Sequence, residues 1–235
     1  VVALSYVLEH LVDVRGAVEG IRKLTRLGGF AYLEVPDASA YADHLVAPFH
    51  DFNTEHINHF SLPLLCRLME AFGFTEVESG AKVIQCSAIH SYPAIFGLWQ
   101  RRSENPTPEV SMESDDELLV AIGRYVELSS ELLNRFDATL AAELEGQDDV
   151  VIWGAGQLAL KILSETVLAE KNVVAVIDGS PQKQGMHLGG RVVGAPEKLR
   201  DSDYPVVVAS VHHAEAIVQA ITGAHGLANR LVLLG

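Results

Sequence analysis

Three stretches of the sequence collect side chains able to do chemistry. The densest is His50-Asp51-Phe52-Asn53-Thr54-Glu55-His56-Ile57-Asn58-His59, with three histidines and two carboxylates in ten residues. A histidine of ordinary pKa, about 6.5, suits proton transfer at neutral pH when a carboxylate orients it, and Glu55-His56 supplies such a pair. The same residues invite a metal-dependent hydrolase built on His50, His56 and His59. Their order, however, is Glu-His-x-x-His, not the His-Glu-x-x-His that sets two ligands one helical turn apart in zinc proteases. Polar loop residues bonded only to backbone are the third possibility.

The second stretch is Gly154-Ala155-Gly156-Gln157-Leu158-Ala159, lying between an apolar run and a helical pattern, with Asp178 closing the next apolar run and Lys183 shortly after it. Glycines in that context allow a tight turn and close backbone approach to a phosphate. Helix amides then point at the anion, and an acid can hold a ribose hydroxyl. A tight strand–helix turn without any ligand fits equally well. Residues 149–235 provide only half of a full dinucleotide fold, so a mononucleotide or nucleotide-sugar is the better match for Gly154, Gly156, Gln157, Asp178 and Lys183. The third stretch is Leu8-Glu9-His10, directly after the opening strand, where open α/β sheets gather their ligands. A helix-start role for Glu9 and His10 is the alternative. His44, His90, His187, His212, His213 and His225 read as surface or loop residues.

The elements that must position these groups follow from periodicity. Residues 1–5 read as a buried strand already in mid-stride, which suggests a fragment lacking upstream strands. Val14, Ala17, Val18, Ile21 and Leu24 follow a helical period, Gly28-Gly29 stop that helix, and 30–35 is a second strand. A long connection, 37–60, carries the histidine-rich stretch; connections of that length are often functional. Ser61 caps a helix running to Phe72, and strands are expected near 74–79 and 83–89. Residues 102–114, rich in Pro and Ser, read as a linker, followed by a long helix at 115–145. A second strand–helix rhythm then has strands at 150–153, 173–177, 206–209 and 231–234. The expected organisation is α/β throughout: a partial sheet in 1–90, a linker and connecting helix in 91–148, and a second small Rossmann-like domain in 149–235.

Composition narrows the partners. The 235 residues carry 31 acidic and 17 basic side chains, a net charge of −14, which disfavours nucleic acid and anionic membrane surfaces. No apolar run approaches the roughly 18 residues of a membrane span. Two cysteines, Cys66 and Cys86, make neither a disulfide framework nor a four-cysteine zinc site, and read as buried free thiols of a reducing cytoplasm.

Val7-Leu8-Glu9-His10 followed by Gly28-Gly29-Phe30-x-x-Leu33-x-Val35-Pro36 resembles the second half of class I methyltransferases that use S-adenosylmethionine, with Leu27 where that family usually has proline. The block from Asn53 to Ser61, together with Gly154-x-Gly156 and Asp178-x-x-Pro181-x-Lys183-Gln184-Gly185, is similar to the sugar C-methyltransferases acting on nucleotide-linked keto-deoxysugars. That resemblance implies a partial class I methyltransferase (Rossmann-like) sheet in 1–90. It implies His56 as the base that removes a proton beside the sugar ketone, with Glu55 next to it. Glu9 and His10 would line the methyl-donor pocket, and Asn53 and His59 would contact substrate; Asn53 stands where the family often has tyrosine. The family's cysteine-rich zinc domain and glycine-rich donor loop are not among these residues. The implied protein is therefore the carboxyl-terminal portion of a cytoplasmic methyltransferase, inactive by itself, with no metal in this chain and a small nucleotide-sugar as partner. A non-catalytic module binding a nucleotide or nucleotide-sugar is the competing expectation.

Overall fold

The computed structural model describes residues 1–86, 91–104, 106, 114–199 and 202–234. The chain divides into two units, one formed by Val1–Leu45 and Asp51–Glu127, the other by Val46–His50 and Leu128–Gly235.

The first unit opens with β1 (Val2–Ser5), a 3-10 turn at Leu8–His10, helix α1 (Val14–Leu24) and β2 (Phe30–Pro36). A 3-10 stretch (Ala38–His44) leads into the histidine-rich loop, and then come α2 (Leu62–Ala71), β3 (Phe74–Gln85) and β4 (Ser91–Arg101). The helices begin where short polar side chains occupy the cap: Asp13 accepts from the Gly16 amide at 2.8 Å, and Ser61 from the Leu64 amide at 3.2 Å. The sheet order is β1-β2-β4-β3, with β1 parallel to β2 and β4 antiparallel to both neighbours. Its core joins Val18 and Ile21 of α1 and Leu65, Leu68 and Met69 of α2 to Leu33, Ile95 and Trp99. A smaller cluster sets Tyr41 against Leu118 and Tyr125.

β1 pairs with β2 alone among the described residues, and its burial alternates along the strand. Three sequence expectations change. Val83–Gln85 continue β3 instead of starting a new strand, and 87–89 lie outside the described residues. Ser91–Arg101, assigned by sequence to the connecting segment, is β4 and sits between β2 and β3; Pro93 and the unbroken apolar run Ala94-Ile95-Phe96 hide the strand's alternation. Cys86 is exposed rather than buried. Cys66 is half-buried beside Glu76, and burial followed by that neighbour pushes its thiol up to about 11, which makes it unreactive. Of the linker read at 102–114, residues 105 and 107–113 lie outside the described residues.

Helix α3 (Asp116–Glu143) contributes its first three turns to the first unit and the rest to the second. Leu118 and Tyr125 are buried in the first unit, while Leu133, Phe136 and Leu140 join the second unit's core with Val150, Ile152 and Ile162.

The second unit continues with β5 (Asp149–Trp153), α4 (Gln157–Glu165), β6 (Asn172–Ile177), β7 (His187–Leu188), β8 (Arg191–Gly194), β9 (Val206–Val208), α5 (Ala214–Gln219) with a π turn to Ala224, and β10 (Leu231–Leu233). Five strands run parallel in the order β10-β9-β5-β6-β8, with β7 antiparallel at the edge. From β5 the chain moves first toward β6 and β8 and later returns to β9 on the other side. The crevice between β5 and β9 is therefore the switch point where such sheets bind ligands.

Candidate functional site

In the first unit the site begins where β1 ends. Tyr6, with φ of 55°, turns the chain in the left-handed region, and its amide donates to the Glu34 carbonyl at 2.9 Å. The 3-10 turn follows. Leu8 anchors it in the core, and Glu9, only 1 % exposed, is carried inside with it.

Residues 53–58 are clamped onto that turn by backbone geometry. Asn53 Oδ1 accepts from the Glu55 and His56 amides at 2.8 and 2.9 Å, which tightens the loop. The Ile57 and Asn58 amides both donate to the Glu9 carbonyl, at 2.9 and 3.1 Å. Asn58 Nδ2 donates to the carbonyls of Leu8 and Leu11, at 3.1 and 2.7 Å. His10 Nδ1 meets the Glu55 carbonyl at 2.8 Å.

The clamp brings Glu9, His10 and His56 together. One ligating atom of each lies within 4.8 Å of the other two. His10 Nε2 stands 3.7 Å from Glu9 Oε1, and the rings of His10 and His56 are 5.1 Å apart. Among the described residues no hydrogen bond from another residue reaches either oxygen of Glu9. Burial pushes its carboxyl above the usual range, with its own backbone amide and the His10 ring acting in the other direction. A buried carboxylate without donors, beside two imidazoles at a strand end, is an arrangement that favours function over stability.

Residues 1–79 match the family described as a methyltransferase domain. The match supports a class I S-adenosylmethionine-dependent methyltransferase domain over these residues, and the mixed α/β sheet of the first unit is consistent with a Rossmann-like methyltransferase fold. No curated protein matches the chain. The methyltransferase match spans Glu9, His10 and His56 alike.

Other residues picked out by sequence take different places in the first unit. The Glu55 carboxylate is exposed, and what Glu55 gives the site is its backbone carbonyl; the carboxylate clustered with His56 is that of Glu9. Asn53 shapes the loop. His59 sits against Phe52, ring centroids 4.7 Å apart, with Nδ1 3.5 Å from the Tyr41 hydroxyl, and burial lowers its pKa against the pull of Asp51. Among the described residues only Glu9, His10 and His56 converge as three potential metal ligands, and His50 lies against His212 within the second unit. Asn58, which carried no assignment, does the most to fix the loop. A polar amide between two apolar-flanked histidines was the available signal.

The second unit holds a pocket of about 640 Å³ at the carboxyl ends of β5 and β9. Gly154, Gly156 and Gln157 line it, as do Ser210, His212 and His213 after β9. Gly154 has a φ of 113°, and a Cβ there would meet the Ala209 carbonyl oxygen at 3.0 Å, so glycine is required by the fold itself. Around Gly156 a Cβ would meet nothing within 4 Å, so its bareness leaves open space at the start of α4. Asp178 is turned inward. Its Oδ2 accepts from the Ala155 amide at 2.8 Å and from Lys183 Nζ at 3.2 Å, and its Oδ1 from the Ser180 amide at 2.8 Å. Burial raises the carboxyl, but these donors together hold it below the usual carboxylate range. Asp178 and Lys183 are thus engaged with each other and with their own turn. The histidines after β9 and His225 line the pocket although their sequence surroundings suggested plain loops.

Proposed function

We propose that the chain is part of a methyltransferase that transfers the methyl group of S-adenosylmethionine to carbon in a nucleotide-linked keto-deoxysugar, with His56 taking the proton next to the ketone. The observation that carries this reading is the convergence of Glu9, His10 and His56 at the end of β1, inside the residues matched by the methyltransferase domain. Methylating carbon needs an enolate. A positioned base typically contributes about 10²–10⁴ in rate, and the donor needs only in-line placement. Glu9, desolvated and close to both rings, favours the imidazolium that proton removal creates. The pocket beside Gly156 supports binding of a nucleotide or nucleotide-sugar by the second unit, the reading that also fits a non-catalytic binding module. The free thiols of Cys66 and Cys86 fit a cytoplasmic setting.

Methyl transfer from labelled S-adenosylmethionine, together with deuterium exchange beside the ketone followed by NMR, tests the base. In protein active on such a sugar, His56→Ala is expected to lower both rates at least about 100-fold while nucleotide binding persists. Unchanged exchange in His56→Ala would remove His56 from that role.

A further inference from the structure

We propose that Glu9, His10 and His56 form a binding site for one divalent first-row transition-metal ion, of the zinc class, held by the Glu9 carboxylate and one ring nitrogen of each histidine. The inference goes beyond methyl transfer and does not rest on it.

The hydrogen-bond pattern around His10 sets the donor atoms. A backbone carbonyl only accepts, so the 2.8 Å contact between His10 Nδ1 and the Glu55 carbonyl places the hydrogen on Nδ1. In the neutral ring Nε2 then presents its lone pair, and it does so 3.7 Å from Glu9 Oε1, another acceptor. This is how metal-binding histidines are usually held: one nitrogen donates to a carbonyl and the other faces the ion. The Glu9 side chain is 1 % exposed, and among the described residues no other residue donates a hydrogen bond to it, so its two oxygens lie inside without a donor. A ring nitrogen of His56 completes a group whose atoms all lie within 4.8 Å of one another. Ligands bound at 2.0–2.1 Å around a tetrahedral ion stand about 3.4 Å apart, so small side-chain movements close the set. Two imidazoles and one carboxylate select zinc, iron, cobalt or nickel over magnesium and calcium, which prefer all-oxygen surroundings. Three protein ligands leave a position open, and the cluster borders a groove lined by His10, Val12, Thr54, Glu55 and Ile57.

A metal-bound imidazole keeps the proton on its other nitrogen and accepts none, so a loaded site and a base at His56 exclude each other. The binding test below reads no turnover, and its failure leaves the methyl-transfer reading standing. Chelator-treated protein, residues 1–235, is titrated with cobalt(II) chloride and the visible d–d absorption is followed; zinc chloride then displaces the cobalt. The inference expects one strongly bound equivalent. Glu9→Gln and His56→Ala should each weaken it at least about tenfold, and His212→Ala, in the second unit's histidine-lined pocket, should leave it unchanged. If Glu9→Gln fails to fold by circular dichroism, His56→Ala, on the loop, decides alone. Absence of stoichiometric binding would show that a proton suffices at this cluster and would overturn the inference. So would binding that survives Glu9→Gln and His56→Ala but is lost in His212→Ala.

Discussion

Glu9 and Asp178 occupy matching places in their two units. Each follows a parallel strand at its carboxyl end, each is buried, and each was singled out by sequence as a ligand contact. Their surroundings differ completely. The Asp178 carboxylate receives the backbone amides of Ala155, after β5, and of Ser180, together with Lys183 of its own turn, whereas the Glu9 carboxylate receives no hydrogen bond from any other described residue and faces two histidines instead. Location at a strand end therefore does not separate a carboxylate with open oxygens from one tied into its surroundings. The count of donors does: Asp178 holds together the turn beside the pocket, and Glu9 keeps its oxygens available.

The largest effect expected from this contrast is on the satisfied side. Asp178→Asn puts an amide where Ala155 and Ser180 point their N–H groups, and should cost about 2–3 kcal/mol in urea unfolding at neutral pH. The pH dependence has a definite sign. Because the folded carboxyl sits below its ordinary value, the stabilisation is present above the unfolded pKa of about 3.9 and is lost as pH falls through the folded value. The two proteins should then converge in acid; a gap that persists there would assign the loss to packing rather than to charge.

Glu34 extends the comparison within the first unit. It is buried, but Lys82 Nζ and the Tyr32 hydroxyl each donate to it at 2.6 Å. Burial raises its carboxyl and these donors more than offset the effect. Lys82 is 36 % exposed, so solvent screens the pair, and Lys82→Met should cost nearer 1 kcal/mol than the several expected for a fully buried ion pair. A loss well above that in thermal unfolding would mean that Glu34 depends on Lys82 as strongly as Asp178 depends on its turn.

The sequence made the strand-end positions legible because they follow from apolar runs closed by polar residues: Leu8-Glu9-His10 follows β1, and Gly154-x-Gly156 joins β5 to α4. The partners were not legible. Glu55 adjoins His56 in sequence, yet the carboxylate gathered with His56 is Glu9, 47 positions away in number, brought there by Asn58 and the backbone carbonyl of Glu9 itself. Side chains at i and i+1 on an extended loop point apart, so adjacency said little about pairing. β4 was hidden for a different reason: Phe96 and Leu98 put apolar residues on its half-buried face, so the sequence lacks the alternation that the strand's burial has. The histidines lining the second pocket follow β9, a three-residue strand whose role as the switch point exists only once the sheet order is known.

The smallest expected effect bears most directly on the claim that Glu9 serves a site rather than the fold. The measurement is the unfolding free energy of Glu9→Gln against the parent protein, both treated with chelator, in urea at neutral pH. A glutamine fills the same volume, removes a desolvated carboxylate and can donate an N–H to the His10 ring, so Glu9→Gln should be as stable as the parent or more so, by up to about 1 kcal/mol. A loss of about 2 kcal/mol or more, matching Asp178→Asn, would show that the Glu9 carboxylate holds the fold together and is no open ligand.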